Sequence, residues 1–168
     1  MLMLVLRFTH IVFGALWVGM MAYQIFFLMP ALGEAGPDAG KVMAALARRR
    51  IPLILPIIAL LTLASGTWLL MRLIGGDAAV MMRTPMGRAY GWGGTAAIVA
   101  FLLGIVVMRP AMMRSMRLAE TLGSATPDER ATRSAEIQRL RARAAGMGRF
   151  VTILLLIALA LMAVARYL

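Results

Sequence analysis

The stretch THIVFGALWVGMMAYQIFFLMP, residues 9–30, decides the fold and contains the only histidine of the chain, His10. It is apolar and longer than the roughly 18 residues needed to span hydrocarbon. Trp17, Met21 and Gln24 follow His10 by 7, 11 and 14 residues, and these offsets place the four side chains on one stripe of an α-helix. The stretch therefore predicts a transmembrane helix that carries groups capable of chemistry.

The whole chain has the composition of an integral membrane protein. Hydrophobic residues make up 62% of its 168 residues, against about 45–50% in soluble domains. Four apolar stretches are long enough to span a membrane: residues 9–32, 51–74, 89–109 and 150–166. No basic segment precedes the first of them, so we expect it to be retained rather than cleaved as a signal peptide. The prediction is an all-α integral membrane protein, a single transmembrane four-helix bundle over residues 1–168.

The distribution of basic residues predicts the orientation. Thirteen of the 18 Lys and Arg residues fall in the first and third loops, and five fall on the other side of the predicted bundle. Because basic loops stay in the cytoplasm, we expect both termini in the periplasm. Abundant Arg, Ala and Gly with a single Lys indicate a bacterial inner membrane. This topology accounts for the net charge of +11, so the expected partner is the lipid bilayer and no nucleic acid.

The third and fourth helices are predicted to continue beyond the membrane. The helical pattern of the third persists past residue 109, and Gly123 supplies a stop. The sequence TPDE, residues 126–129, then has the elements of a capping box at the start of a new helix. Residues 110–149 should therefore form a cytoplasmic helical hairpin. In the first loop, Asp38 is a candidate cap for a short helix.

The third helix has one smooth face of small residues. Gly93, Ala97, Ala100 and Gly104 recur at offsets of 4, 7 and 11. In a membrane such a face allows two helix backbones to approach closely. We expect it to pack against another helix of the bundle or against a second copy of the chain.

The acidic residues exclude several kinds of site. All seven lie outside the four apolar stretches: Glu34, Asp38, Asp77, Glu120, Asp128, Glu129 and Glu136. Carboxylate proton relays, di-iron carboxylate sites and paired acid–base carboxylates are therefore excluded from the membrane interior. The chain also has no cysteine, which excludes disulfides and thiolate metal sites.

His10 admits three interpretations. An imidazole near the outer end of a membrane helix can be a hydrated structural group, a ligand for a metal or haem iron, or a group that handles protons or contacts a quinone. Because no span offers a carboxylate or a thiol, His10 is the strongest ligand available within the membrane. We place it at the periplasmic mouth.

Methionine is the second class of candidate ligand, because its thioether favours Cu(I). The predicted metal ligands beside His10 are Met20 and Met21 in the first helix and Met81, Met82 and Met86 in the external loop. On the cytoplasmic side, Met108, Met112 and Met116 form a second stripe, spaced i, i+4, i+8. Methionine is also a routine apolar gap-filler, so each group can equally be packing alone.

Aromatic and arginine side chains gather at the predicted outer end. The candidate cofactor-binding residues are His10, Trp17, Arg72 and Arg88, with an arginine turned inward to hold an anionic oxygen such as a haem propionate. The alternative is an ordinary belt of interfacial aromatics and extended arginines. Gln24 is expected to hydrogen bond between helices.

The order of these features resembles the membrane domain of the copper-resistance protein D (CopD) family over about residues 5–115. The matching features are His10, Trp17, Gly19 and Pro30 in the first helix, the basic run at 48–50, LASGTWLL at 63–70 and TPMGRAYG at 84–91. The resemblance implies a helical bundle that handles copper at or across the inner membrane. The family commonly has a lysine early in its third helix, where this chain has Gly93 and Gly94.

The first three helices are also similar, more faintly, to the HemJ-type protoporphyrinogen oxidase, a small haem-binding membrane protein with a histidine in its first helix. This second resemblance implies a haem b site at His10. That family too relies on a lysine in a later helix, and this chain lacks it.

Three functional hypotheses follow. The favoured one is a CopD-like protein for copper uptake or homeostasis, with His10 as the anchoring ligand and methionine partners. The rival is a haem b protein with His10 as axial ligand, an oxidoreductase exchanging electrons with quinone or a periplasmic acceptor. The third is a non-catalytic accessory subunit whose basic hairpin docks a cytoplasmic protein or anionic lipid. Because four helices leave little room for a pathway, a homodimer or a larger membrane complex is expected.

Overall fold

The computed structural model describes residues 1–36, 39–75 and 77–168, which form helices and turns with no strand among them. α1 (Leu2–Tyr23) continues through a first π-helical segment (Gln24–Leu28) into α2 (Met29–Glu34). Next come α3 (Ala39–Arg48), α4 (Ile51–Ile74) and α5 (Ala78–Met82). α6 (Pro85–Leu103) continues through a second π-helical segment (Gly104–Met108) into α7 (Arg109–Glu120). α8 (Pro127–Val164) ends in a 3₁₀ turn (Ala165–Tyr167).

Four helical runs of the described residues are long and apolar enough to cross a membrane: Leu2–Glu34, Ile51–Leu73, Pro85–Glu120 and Pro127–Tyr167. They are compatible with a multi-pass membrane protein, as the sequence predicts. The first run begins at Leu2 rather than near residue 9, because the preceding LMLVLRF is itself mostly apolar and continues the helix. His10 consequently lies eight residues into α1, about 12 Å of helix rise from its start.

Short local signals set the helix ends. Thr84 and Thr126 each precede a proline and cap a helix, their hydroxyls accepting the N–H of Gly87 and Glu129. The Glu129 carboxylate in turn accepts the Thr126 N–H at 3.1 Å, which confirms the predicted capping box. Gly75 ends α4 at φ +56, a left-handed conformation that glycine adopts without strain. The cap predicted at Asp38 lies outside the described residues.

The helices pack mainly in two pairs, α1 along α4 and α6 along α8. The small-residue face of α6 forms the second contact: Gly93, Ala97 and Ala100 are buried. A Cβ atom at Gly93 would lie 3.2 Å from Cγ of Met162 and 3.3 Å from the carbonyl oxygen of Ala158, both on α8. This confirms the predicted seam, with a helix of the same chain as the partner.

A central apolar cluster holds the pairs together, through α4–α6 and α1–α8 contacts. Trp17 is at its centre, only 4% exposed, and meets Phe101 edge to face at 6.4 Å between ring centroids. Trp17 is thus a core residue, whereas the sequence grouped it with the aromatics of the outer end. Val151 and Leu155 of α8 complete the cluster.

Beyond residue 109, α7 packs against the first half of α8. Arg114 and Glu136 form an ion pair at 2.5 Å, and Arg133 donates to the carbonyl oxygen of Thr121 at 3.2 Å. Ile137, in the same part of α8, is buried at 5% exposure. α8 then runs without interruption into its apolar half, as the sequence predicts.

Candidate functional site

His10 is fixed by a hydrogen bond that crosses from α1 to α4. Its Nδ1 lies 2.9 Å from the carbonyl oxygen of Thr62. Because a carbonyl oxygen can only accept, Nδ1 carries the proton in this arrangement. In the neutral imidazole Nε2 then keeps its lone pair, which is the state required of a metal ligand.

The shape of α4 makes room for this imidazole. Gly66 has no side chain, and a Cβ atom there would lie 2.6 Å from Cε1 of His10 and 2.8 Å from its Nδ1. Next to the Thr62 carbonyl, α4 carries two hydroxyls: that of Ser65 lies 2.6 Å from the carbonyl oxygen of Leu61 and 3.1 Å from that of Thr62, and that of Thr62 donates to the carbonyl oxygen of Ile58. His10 therefore lies half-buried against a small polar patch in an otherwise apolar helix.

The methionines predicted to join His10 lie elsewhere. Met20 and Met21 are ten and eleven residues further along α1, about 15 Å of helix rise, so a single ion at His10 would not reach them. Met81 and Met82 lie in α5 and pack on α6, where the sulfur of Met82 is 2.8 Å from the Cβ position of Gly91. Met86 is half-buried in the first turn of α6. As ligands, all five stay predictions.

The other cofactor-binding candidates are also dispersed. Arg72 and Arg88 are exposed, and the Arg88 guanidinium donates to the carbonyl oxygen of Arg83 at 3.3 Å, next to the end of α5. Trp17 is occupied with Phe101 in the core. No group of three or more His, Cys, Asp and Glu residues suited to a metal occurs in the described ranges.

A second candidate site lies toward the α3 and α7 end of the molecule. It is a cavity of about 240 Å³ between α1, the first π segment, α3, α4, α6, the second π segment and α7. Its walls are almost wholly apolar, and half of the chain's 16 methionines line it. They are Met20, Met21, Met29, Met43, Met108, Met112, Met113 and Met116.

The second π segment keeps this lining on one face of its helix. Ala100, Gly104, Met108, Met112 and Met116 all line the cavity, at a strict spacing of four residues. At about 100° per residue, a regular α-helix would turn Met116 about 160° away from Ala100. A π turn contains one residue more than a regular α-helical turn. This surplus residue offsets about 100° of the rotation between Ala100 and Met116. The first π segment likewise keeps Met29 on the face that carries Trp17 and Met21.

Gln24 lines the cavity instead of bridging two helices. It was expected to hydrogen bond to a neighbouring helix, yet its side chain makes no hydrogen bond to any residue that the structure describes. Arg109, the only charged residue that the described part of the chain contributes to the lining, likewise has no hydrogen-bond or ion-pair partner there.

The cavity is the feature that sequence reasoning missed. The sequence indicated five of its eight methionines, as two unrelated groups: Met20 and Met21 in the helix of His10, and Met108, Met112 and Met116 on the cytoplasmic side. The four-residue spacing from Ala100 to Met116 was the available signal, because a repeat of four cannot stay on one face of a regular α-helix.

Comparisons with known proteins identify no relative of this chain. No protein-family model, no curated protein and no solved structure matches the chain.

Proposed function

We propose that the protein handles copper, in uptake or homeostasis, as a multi-pass protein of the bacterial inner membrane. In this proposal the four apolar runs form a transmembrane bundle with both termini in the periplasm and the paired ends of α7 and α8 in the cytoplasm. The asymmetric distribution of arginine supports the orientation. The CopD-like order of features from His10 to Gly91 supports the cargo.

The observation that carries the proposal is the hydrogen bond from Nδ1 of His10 to the Thr62 carbonyl oxygen. Histidine ligands of metals typically donate their second ring N–H to such an acceptor, which orients the ring and raises the basicity of the ligating nitrogen. Nε2 of His10 is then the copper ligand, since neutral imidazole binds copper well. The four apolar stretches contain no carboxylate or thiol to compete with it.

Thioether ligands complete the proposal at the periplasmic end. Met81 and Met82 are adjacent in α5, and Met86 follows in the first turn of α6. Soft sulfur atoms at this end of the molecule would capture Cu(I) before it reaches His10. Arg88 and Arg72, exposed at the same end, disfavour loose binding of hard divalent cations.

The test is metal analysis of the full chain purified in detergent, with a visible absorption spectrum of the same sample. We expect bound copper, no Soret band, and loss of the copper in His10→Ala. Gln24→Ala is the control on the same helix and should keep its copper, since Gln24 lies about 21 Å of helix rise from His10.

The same measurement separates the rival hypotheses. A Soret band with stoichiometric iron, lost in His10→Ala, would replace copper by haem b. If the purified protein holds neither copper nor haem, and cells that express His10→Ala behave like cells that express the wild type, the accessory-subunit hypothesis is the one that survives.

A further inference from the structure

The methionine-lined cavity has no role in the copper proposal, and its polar side chains are hydrogen-bond donors. The Gln24 amide and the Arg109 guanidinium both lie in the lining, where neither bonds to a residue that the structure describes. Gln24 is half-buried and Arg109 is exposed, so both can donate a hydrogen bond to a molecule that enters the cavity. The occupant that suits these walls therefore carries oxygen acceptors.

The charge of the lining disfavours a bare metal ion. Thioethers are soft ligands for Cu(I), but the only charged side chain that the described residues contribute to the lining is the cation Arg109. A second cation beside it would be repelled, and no Asp or Glu of the described residues lines the cavity to compensate. A neutral molecule avoids this repulsion and can still accept a hydrogen bond from the guanidinium.

The size of the cavity fits one ring. An engineered apolar cavity of about 150 Å³ holds benzene. The present cavity, about 240 Å³, has space for a six-membered ring with a few substituents, and far more than an ion needs. It is also open on one side, which allows a longer substituent to leave.

The walls favour a flat ring over a flexible chain. Thioether sulfur makes favourable contacts with the edges of aromatic rings, and the flexible methionine side chain adapts its shape to a flat molecule. Trp17 and Phe101, packed edge to face, add two rigid aromatic surfaces to the same wall. Pockets of this composition, apolar with a few convergent polar groups, are typical of small-molecule sites.

We propose that this cavity binds a quinone-type molecule: a flat, uncharged ring whose carbonyl oxygens accept hydrogen bonds from Gln24 and Arg109. Its apolar tail leaves through the open side. The site does not involve His10, so it stands or falls independently of copper binding.

The chain contains its own reporter for this site. Trp17 lines the cavity at 4% exposure, whereas Trp68 and Trp92 are 51% and 61% exposed. In the full chain with Trp68→Phe and Trp92→Phe, tryptophan fluorescence reports Trp17 alone. We expect a decyl-substituted benzoquinone to quench this fluorescence saturably in detergent.

A matched pair of glycine variants tests the location. A Cβ atom at Gly104, a cavity residue, meets nothing within 4 Å, so the leucine of Gly104→Leu starts in free space at the cavity wall and takes up part of the cavity. Gly94→Leu adds the same side chain to α6, also into open space, but away from the lining. Saturable quenching should be lost in Gly104→Leu and unchanged in Gly94→Leu.

A second pair tests the ligand chemistry. Gln24→Leu should weaken the quinone about tenfold through loss of one donor. Met112→Leu, which removes one thioether but no hydrogen-bond donor, should weaken it less than Gln24→Leu does. Equal quenching in both glycine variants, or no saturable quenching in the reporter itself, would overturn the proposal. Silver(I) binding that Met112→Leu abolishes, with no quinone binding, would instead assign the cavity to a soft metal.

Discussion

His10 and Gly66 lie in contact, so the side chain at either position limits the size of the side chain that fits at the other. The imidazole occupies the space that a side chain at residue 66 would need, and its hydrogen bond to Thr62 ties α1 to α4 one turn away. A helix crossing in a membrane gains from such close contacts because water does not drive the association. The pair therefore has a structural effect whether or not His10 binds copper.

Gly66→Ala should destabilise the protein, by about 1–3 kcal/mol, because the new methyl group overlaps the imidazole. In the double variant His10→Ala/Gly66→Ala the overlap disappears, so the two effects should not add. The measurement is the midpoint of thermal unfolding in detergent. Gly94→Ala, which adds a methyl group to open space, is the control. Additive effects of the two substitutions would contradict the packing at this position.

The sequence identified His10 but not its surroundings. A single histidine in an apolar stretch stands out by composition alone. Its partner is a backbone carbonyl oxygen 52 residues away, and every residue has one of those, so no side-chain pattern marks it. Met20 and Met21 were grouped with His10 because they lie in the same helix, although about 15 Å of helix rise separates these methionines from His10.

At the scale of the element, helix ends were predictable and helix interiors were not. Thr126, Pro127 and Glu129 encode a cap in four consecutive positions, and the structure has that cap. The two π segments depend on which residues find partners across the molecule. Their sequences, QIFFL and GIVVM, are ordinary for membrane helices. These five-residue sequences do not indicate a surplus residue; for the second segment the signal is the four-residue spacing from Ala100 to Met116, which extends beyond it on both sides.

The capping box should make the start of α8 sensitive to acid. The Thr126 backbone N–H, then its hydroxyl and the charge of Arg133, hold the pKa of Glu129 below its ordinary value of 4.5. A lowered pKa in the folded state stabilises the helix start above pH 4.5, and that stabilisation is lost as the pH falls through the lowered value.

We therefore expect amide exchange at residues 127–131, corrected for its intrinsic pH dependence, to accelerate below pH 4.5. Glu129→Gln should remove this acceleration, and Glu120→Gln, at the end of α7, should keep it. Identical pH profiles for the wild type and Glu129→Gln would contradict a capping role for the carboxylate.

At the scale of the whole molecule, the number of apolar helices followed directly from hydropathy, since each is longer than hydrocarbon is thick. The pairing of those helices was foreseen for α6, whose small residues mark a close contact, and for α7 with the start of α8, which the sequence predicts as a hairpin; the pairing of α1 with α4 was not foreseen. The cavity needed residues from α1, α3, α4 and α7 together, and no single stretch of sequence carries that information.

Because the chain has no cysteine, single cysteines can report the proposed orientation. Ser124→Cys, in the exposed turn between α7 and α8, should react with an impermeant maleimide only after the inner membrane is opened. Leu168→Cys, at the opposite end and 63% exposed, should react in intact cells. The reverse pattern would invert the topology and place His10 in the cytoplasmic half.

α8 is mechanically one rod of 38 residues, about 57 Å long, with no proline after its first position. Its basic half lies against α7, and its apolar half passes the point where a Cβ atom at Gly148 would meet Ile25 and Met108. Those two residues belong to the two π segments. A displacement of the basic half of α8 would therefore be transmitted directly to both π segments, because no loop interrupts the helix between them.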